Sequence, residues 1–167
     1  RNLDEVGRRS GFTFREQDLL DVPGTRALLT PETVIVHLAA KAGLRPSLAE
    51  PVGYARANVT GTAAVLEAAR QAGVSRIVFG SSSSVYGDST PVPFREDAVA
   101  VVPVSPYAAT KRAGELFLSA VAPSIGAQPI ERGRTLLSDE RGDDDDMPDR
   151  RTLGRCVLRA RGAELAG

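Results

Sequence analysis

The chain has 167 residues, 42% apolar and 25% charged, and its 21 basic residues balance 21 acidic ones to a net charge of zero. That is the balance of one soluble globular domain, without the basic footprint of a nucleic-acid binder or of a protein drawn to anionic membranes. The single cysteine, Cys156, excludes an intrachain disulfide and a cysteine-based zinc cage, and no metal site is predicted.

No run approaches the roughly 18 apolar residues of a membrane span, and no signal peptide opens the chain, so the cytoplasm is the expected compartment. The composition is uneven. All eight aromatic residues lie in the first 117 positions, while the remainder holds an acidic run, Asp143 to Asp146, and many arginines. Such a segment buries too little apolar surface to offset its ordering entropy. Two parts are therefore predicted, a folded domain over 1–122 and a loose or partly helical tail over 123–167.

Residues 13–17 alternate and run into Asp18-Leu19-Leu20-Asp21, which reads as a strand and a loop. Val34 to Ala40 is an almost unbroken apolar run, the pattern of a strand buried on both faces. Residues 51–72 read as a long helix with Val59, Ala63, Leu66 and Ala69 or Arg70 near one face, stopped by Gly73. Residues 76–80 form a second buried strand that runs into Ser81-Ser82-Ser83-Ser84, and after a proline-rich loop residues 107–121 form a second helix. Strand, helix, strand, loop, helix is the order of an α/β doubly wound parallel sheet. Ligands bind such sheets at the carboxyl ends of the strands. Three segments lie there: Asp18-Leu19, Leu38-Ala39-Ala40-Lys41 and Ser81 to Ser84.

Tyr107 and Lys111 stand four residues apart, which puts a phenol and an ammonium on one face of a helix. A neighbouring cation favours phenolate and makes tyrosine a usable proton acceptor. The motif alone is common in helices, where tyrosine packs and lysine is solvated. The preceding strand ending in serines, within the same α/β unit, raises its weight.

These stretches together resemble the extended short-chain dehydrogenase/reductase family in its sugar-nucleotide epimerase and dehydratase branch. The matching segments are Val36-His37-Leu38-Ala39-Ala40, Ala42 to Ser47, Asn58 to Thr62, Ser81 to Gly87 and Ser105 to Glu115, in order, over roughly residues 2–122. The Ala42-Gly43-Leu44-Arg45 stretch and the run Ser105 to Glu115 are closest to UDP-glucuronate 4-epimerases. The resemblance implies that Tyr107 is the base, Lys111 its activator and a ribose ligand, and Ser82 the hydroxyl that binds the sugar O4. It implies cofactor contacts from Asp18, Leu19, Leu38, Ala39, Ala40, Lys41, Asn58, Ser81, Tyr107 and Lys111. Asn58 is equally readable as helix packing at a bend, and His37 reads as core. NAD is the implied cofactor, a UDP-sugar the implied substrate, and a homodimer the implied assembly of the complete enzyme.

The chain departs from the family at both ends. No two of its 16 glycines are closer than four residues apart, so no glycine-rich pyrophosphate turn of the G-x-G-x-x-G kind exists. The expectation is a partial Rossmann-like domain lacking the first βαβ unit, about 40 residues, that binds NAD weakly on its own. Two readings of function stay open: an NAD-dependent 4-epimerase present as a fragment, or a catalytically inactive remnant serving as a folded interaction module.

Overall fold

The computed structural model describes residues 11–95, 102–133 and 155–160. The acidic run Asp143 to Asp146 and the first ten residues lie outside them. Strand β1 (Val34–His37) and strand β2 (Arg76–Gly80) pair in parallel, with Ile35 opposite Ile77 and His37 opposite Phe79. Between them runs the crossover. It begins with helix α2 (Leu44–Ala49) and continues through α3 (Pro51–Tyr54), a π-helical turn over Ala55–Thr60, and α4 (Gly61–Ala72). A short helix α1 (Val22–Arg26) precedes β1, and the long helix α5 (Pro106–Val121) follows β2.

The helix ends carry the chemistry that local sequence dictates. Ser105 caps α5 by accepting the Ala108 N–H at 3.1 Å, and Pro106 fills the first helical position, where no donor is needed. Gly73 closes α4 in the left-handed conformation, φ 72°, while the Val74 N–H donates back to the Ala69 carbonyl.

Core packing follows the strand alternation. Ile77, Phe79, Leu66, Ala69, Val74, Leu118 and Ala122 form one buried cluster, with Ile35 packed against it. α5 approaches β2 so closely that a Cβ at Gly114 would lie 2.5 Å from the Phe79 ring; glycine is what the approach requires. The opposite face of β1 differs from its predicted double burial. Val34 is 51% and Val36 56% exposed. Both core-facing helices pack on the Ile35 and His37 side, and no described element covers the other side.

Residues 13–17 form no strand. A strand exists only by its ladder, and no described strand lies beside them. Their continuation is instead organised by Asp18, whose side chain accepts the Leu20 N–H at 2.9 Å. Beyond residue 122, the described segments add two strands to the sheet, β3 (Ala127–Gly133) and β4 (Arg155–Ala160). β4 pairs antiparallel with β2, β3 pairs antiparallel with β4, and the strand order is β1-β2-β4-β3. The unpaired edge of β2 supplies the physical reason: backbone donors and acceptors recruit a strand whether or not it carries aromatic side chains.

Leu118 is fully buried in the cluster and Leu116, two positions away, is exposed. Leu118→Ala is expected to lower stability by about 3 kcal/mol, and Leu116→Ala by less than about 0.5 kcal/mol. Urea midpoints followed by circular dichroism check the pair.

Candidate active site

β2 ends at Gly80 and the chain continues through Ser81 and Ser82 into a 3₁₀ turn over Ser83–Tyr86. Ser82 is extended (φ −151°, ψ 149°) and caps that turn, accepting the Ser84 N–H at 3.2 Å. α5 lies alongside. Lys111, only 4% exposed, donates from Nζ to the Gly80 carbonyl at 2.6 Å and sits 4.8 Å from the centre of the Phe79 ring. Burial pushes its ammonium down to about 8, against a smaller upward pull from Glu115. Tyr107, one turn earlier on α5, is half-buried. Its ring stands edge-on to Tyr54 at 6.3 Å between centroids, and its backbone N–H donates to the buried Ser47 hydroxyl at 3.1 Å. No hydrogen bond is made by the Tyr107 phenol among the described residues.

Asn58 occupies the π-helical turn and is buried. Its Oδ1 accepts the Lys41 N–H at 2.7 Å, while Nδ2 donates to the Lys41 carbonyl and to Thr110 Oγ1, each at 3.0 Å. Both amide protons are thereby used. Thr110 in turn donates to the Tyr107 carbonyl at 2.8 Å. One side chain thus ties the loop after β1 to the helix that carries Tyr107 and Lys111. The Ala55–Thr60 π turn makes room for it, since an extra residue per turn frees carbonyls from the regular ladder. The Asn58 carbonyl accepts the Thr62 hydroxyl at 2.6 Å.

That last bond settles a tautomer. The single hydroxyl proton of Thr62 goes to Asn58, so the contact of 3.0 Å between Thr62 Oγ1 and His37 Nε2 requires His37 to donate from Nε2. His37 is a core residue, as read from the sequence. Burial, helped by the nearby Lys111 charge, holds its imidazole down to about 4.

A cleft of about 390 Å³ opens beside this framework, lined by Gln17 to Leu20, Ala39 to Lys41, Gly53, Arg56, Ala57 and Gly61. Of the predicted cofactor residues it brings together Asp18, Leu19, Ala39, Ala40 and Lys41, with Leu38 exposed just before them. Small side chains along one wall let a flat ring approach the backbone, and Lys41 and Arg56 supply positive charge for an anionic ligand. The residues present therefore fit part of a dinucleotide. Ser81 and Asn58 do not line this cleft. The Ser81 hydroxyl points into α5, where it donates to Glu115 at 2.6 Å. Lys41 forms an ion pair with Glu50.

The roles of Thr110, Ser47 and Glu115 escaped sequence reasoning. Glu115 had a signal: it continues the four-residue spacing from Tyr107 through Lys111. Thr110 and Ser47 had none, because their partners are distant in sequence. No group of three or more potential metal-binding side chains occurs among the described residues.

A parallel strand–helix–strand unit, a small-residue cleft at its carboxyl end and a tyrosine–lysine pair on the next helix define the short-chain dehydrogenase/reductase class. Comparison narrows the class. The chain belongs to the NAD dependent epimerase/dehydratase family, which matches residues 1–131. It is 38% identical over 117 residues to UDP-glucuronate 4-epimerase of Thermodesulfobacterium geofontis, covering 69% of this chain and 36% of that protein. It is 43% identical over 121 residues to UDP-glucose 4-epimerase of Mycolicibacterium smegmatis, covering 71% and 38%. Among solved structures, it is similar to dTDP-glucose 4,6-dehydratase from Streptomyces venezuelae with NAD bound. That match has a TM-score of 0.69 at 32% identity and covers 75% of this chain and 38% of that one. The chain therefore spans little more than a third of the length of these relatives.

His37 makes the core sensitive to acid. Its unfolded imidazole titrates near 6.5, and its folded one near 4. Between those values the unfolded chain binds more protons, so stability falls as pH drops from about 6.5 to about 4 and this loss levels off below. Urea midpoints at pH 7 and 4.5 are expected to differ, and His37→Gln, which keeps a donor for Thr62, is expected to narrow the difference.

Proposed function

We propose that the complete protein carrying this chain is an NAD-dependent sugar-nucleotide 4-epimerase acting on UDP-glucuronate or UDP-glucose. The observation that carries the reading is the bond from Lys111 Nζ to the Gly80 carbonyl, which holds the helix bearing Tyr107 against the strand end bearing Ser82. Family membership and the names of the relatives support the substrate class.

In this mechanism Tyr107 takes the proton from the sugar 4-hydroxyl and later returns it. The Lys111 ammonium, one helical turn away, supplies positive charge to the site and orients the cofactor ribose. Ser82 donates to O4 and keeps the sugar oxygen within reach of Tyr107. Asp18, Leu19, Leu38, Ala39, Ala40 and Lys41 hold the dinucleotide, with Asn58 shaping their loop and Ser81 the strand end. Bound NAD supplies the hydride acceptor and donor for C4, chemistry that belongs to the cofactor. A dehydratase needs a further acid pair after the Ser82 hydroxyl, and Ser83 and Ser84 stand there. The cytoplasm and a homodimer complete the proposal; no helix among the described residues is long and apolar enough to cross a membrane.

In the complete enzyme, UDP-glucuronate or UDP-glucose is expected to be epimerised at C4 without net consumption of NAD. Tyr107→Phe is expected to lower turnover by at least about 100-fold, the lower range for a lost general base. Ser82→Ala removes one hydrogen bond and is expected to cost about 10–100-fold. Lys111→Ala is expected to slow turnover, because the site loses its buried cation. Near-normal turnover in Tyr107→Phe would defeat the assignment.

A further inference from the structure

Glu115 is a buried carboxylate that the mechanism above does not use. Its side chain is 7% exposed, and both its oxygens are engaged. Oε1 accepts the Ser81 hydroxyl at 2.6 Å, and Oε2 accepts Arg112 Nη1 at 2.8 Å. It lies one turn beyond Lys111, which itself binds the carbonyl of Gly80. Two residues of α5 spaced by four therefore grip two consecutive residues at the end of β2. Ser82 is the next residue after that grip, in extended backbone, so its side chain projects to the opposite side from Ser81.

We propose that Glu115 is a positioning residue of the site: it fastens the Ser81–Ser82 strand end to α5 and supplies the counter-charge that keeps buried Lys111 an ammonium. The inference rests on the reading of Ser82, Tyr107 and Lys111 as the reacting constellation. An ammonium stripped of water is costly unless a partner compensates it. The Gly80 carbonyl gives Lys111 one acceptor and the Phe79 ring gives it a π face, but neither carries a charge. Tyr107 and Arg112 share the helix of Lys111, and His37, on β1, feels its charge. His37 is neutral above about 4 and Arg112 is repulsive, so Glu115 is the source of compensation. Arg112 in turn neutralises part of Glu115 from the more exposed side, where its own side chain is 28% exposed. Without Glu115, more Lys111 is neutral at physiological pH, and the positive charge one helical turn from Tyr107 is diminished.

The chain has only two lysines, Lys41 and Lys111. Their side chains can be titrated individually by carbon-13 NMR of lysine-labelled full-length chain, with Lys41→Arg assigning the signals. Lys111 in the unaltered chain is expected to titrate at about 8. In Glu115→Gln, which keeps the shape and removes the charge, its midpoint is expected to fall by about one unit or more, a tenfold drop in the ratio of ammonium to amine at a given pH. Ser81→Ala tests the fastening and keeps the charge. Its Lys111 midpoint is expected to stay in place. The Ser84 and Val85 amides, both bonded to Ser82, are expected to exchange with solvent about tenfold faster. An unmoved Lys111 midpoint in Glu115→Gln, or unchanged exchange in Ser81→Ala, overturns the proposal; if Glu115→Gln does not fold, the Ser81→Ala measurement decides. Neither readout uses substrate, so loss of the epimerase reading through Tyr107→Phe would be a separate result.

Discussion

The buried ammonium of Lys111 is the constraint around which the described structure is arranged. A charge removed from water must be given an acceptor and a counter-charge, and here both come from groups set in place by separate elements. The acceptor is the last carbonyl of β2. The carboxylate is Glu115, one helical turn further along α5 and itself bonded to the residue after that carbonyl. For both contacts to exist, α5 must lie close against the end of β2. Gly114, between them in sequence, has no side chain to hold the helix off the Phe79 ring. Packing and electrostatics thus require the same approach distance.

A second fastening acts on the same helix. The carboxamide of Asn58 spends all its donors on Lys41 and Thr110, and so joins the loop after β1 to the same helix. The Asn58 carbonyl, in the π turn, accepts the Thr62 hydroxyl, and Thr62 fixes the tautomer of His37 in β1. The crossover helix, the first strand and α5 are therefore connected through buried polar groups that are each satisfied. Such networks specify geometry where apolar packing alone would allow sliding. Their position next to Tyr107 suits a site in which a fraction of an ångström decides proton transfer.

The small-residue cleft and this network meet at Lys41. Its backbone belongs to Asn58 and its side chain pairs with Glu50. The loop that would cradle a dinucleotide is thereby held in place before any ligand arrives. The face of β1 bearing Val34 and Val36, by contrast, faces no described element. The sheet is finished on one side only within the residues described.

Much was legible in the sequence because it depends on neighbours along the chain. The two parallel strands follow from apolar runs of strand length. The helix ends at Ser105, Pro106 and Gly73 follow from caps and breakers, and the Tyr107 and Lys111 pairing follows from the helical repeat. What depends on partners far along the chain was decided only by the fold. Residues 13–17 alternate like a strand but have no described ladder beside them, whereas Arg155–Ala160, in a segment without aromatics, joins the free edge of β2. Ser81 and Ser82 are identical in type and adjacent, yet the first is spent on Glu115 and the second bonds only locally, to Ser84, because successive residues of an extended strand face opposite ways and only the placement of α5 determines which way is which. Local pattern determined which residues could do chemistry; tertiary packing, by choosing their buried partners, decided which of them hold the site and which remain to act in it.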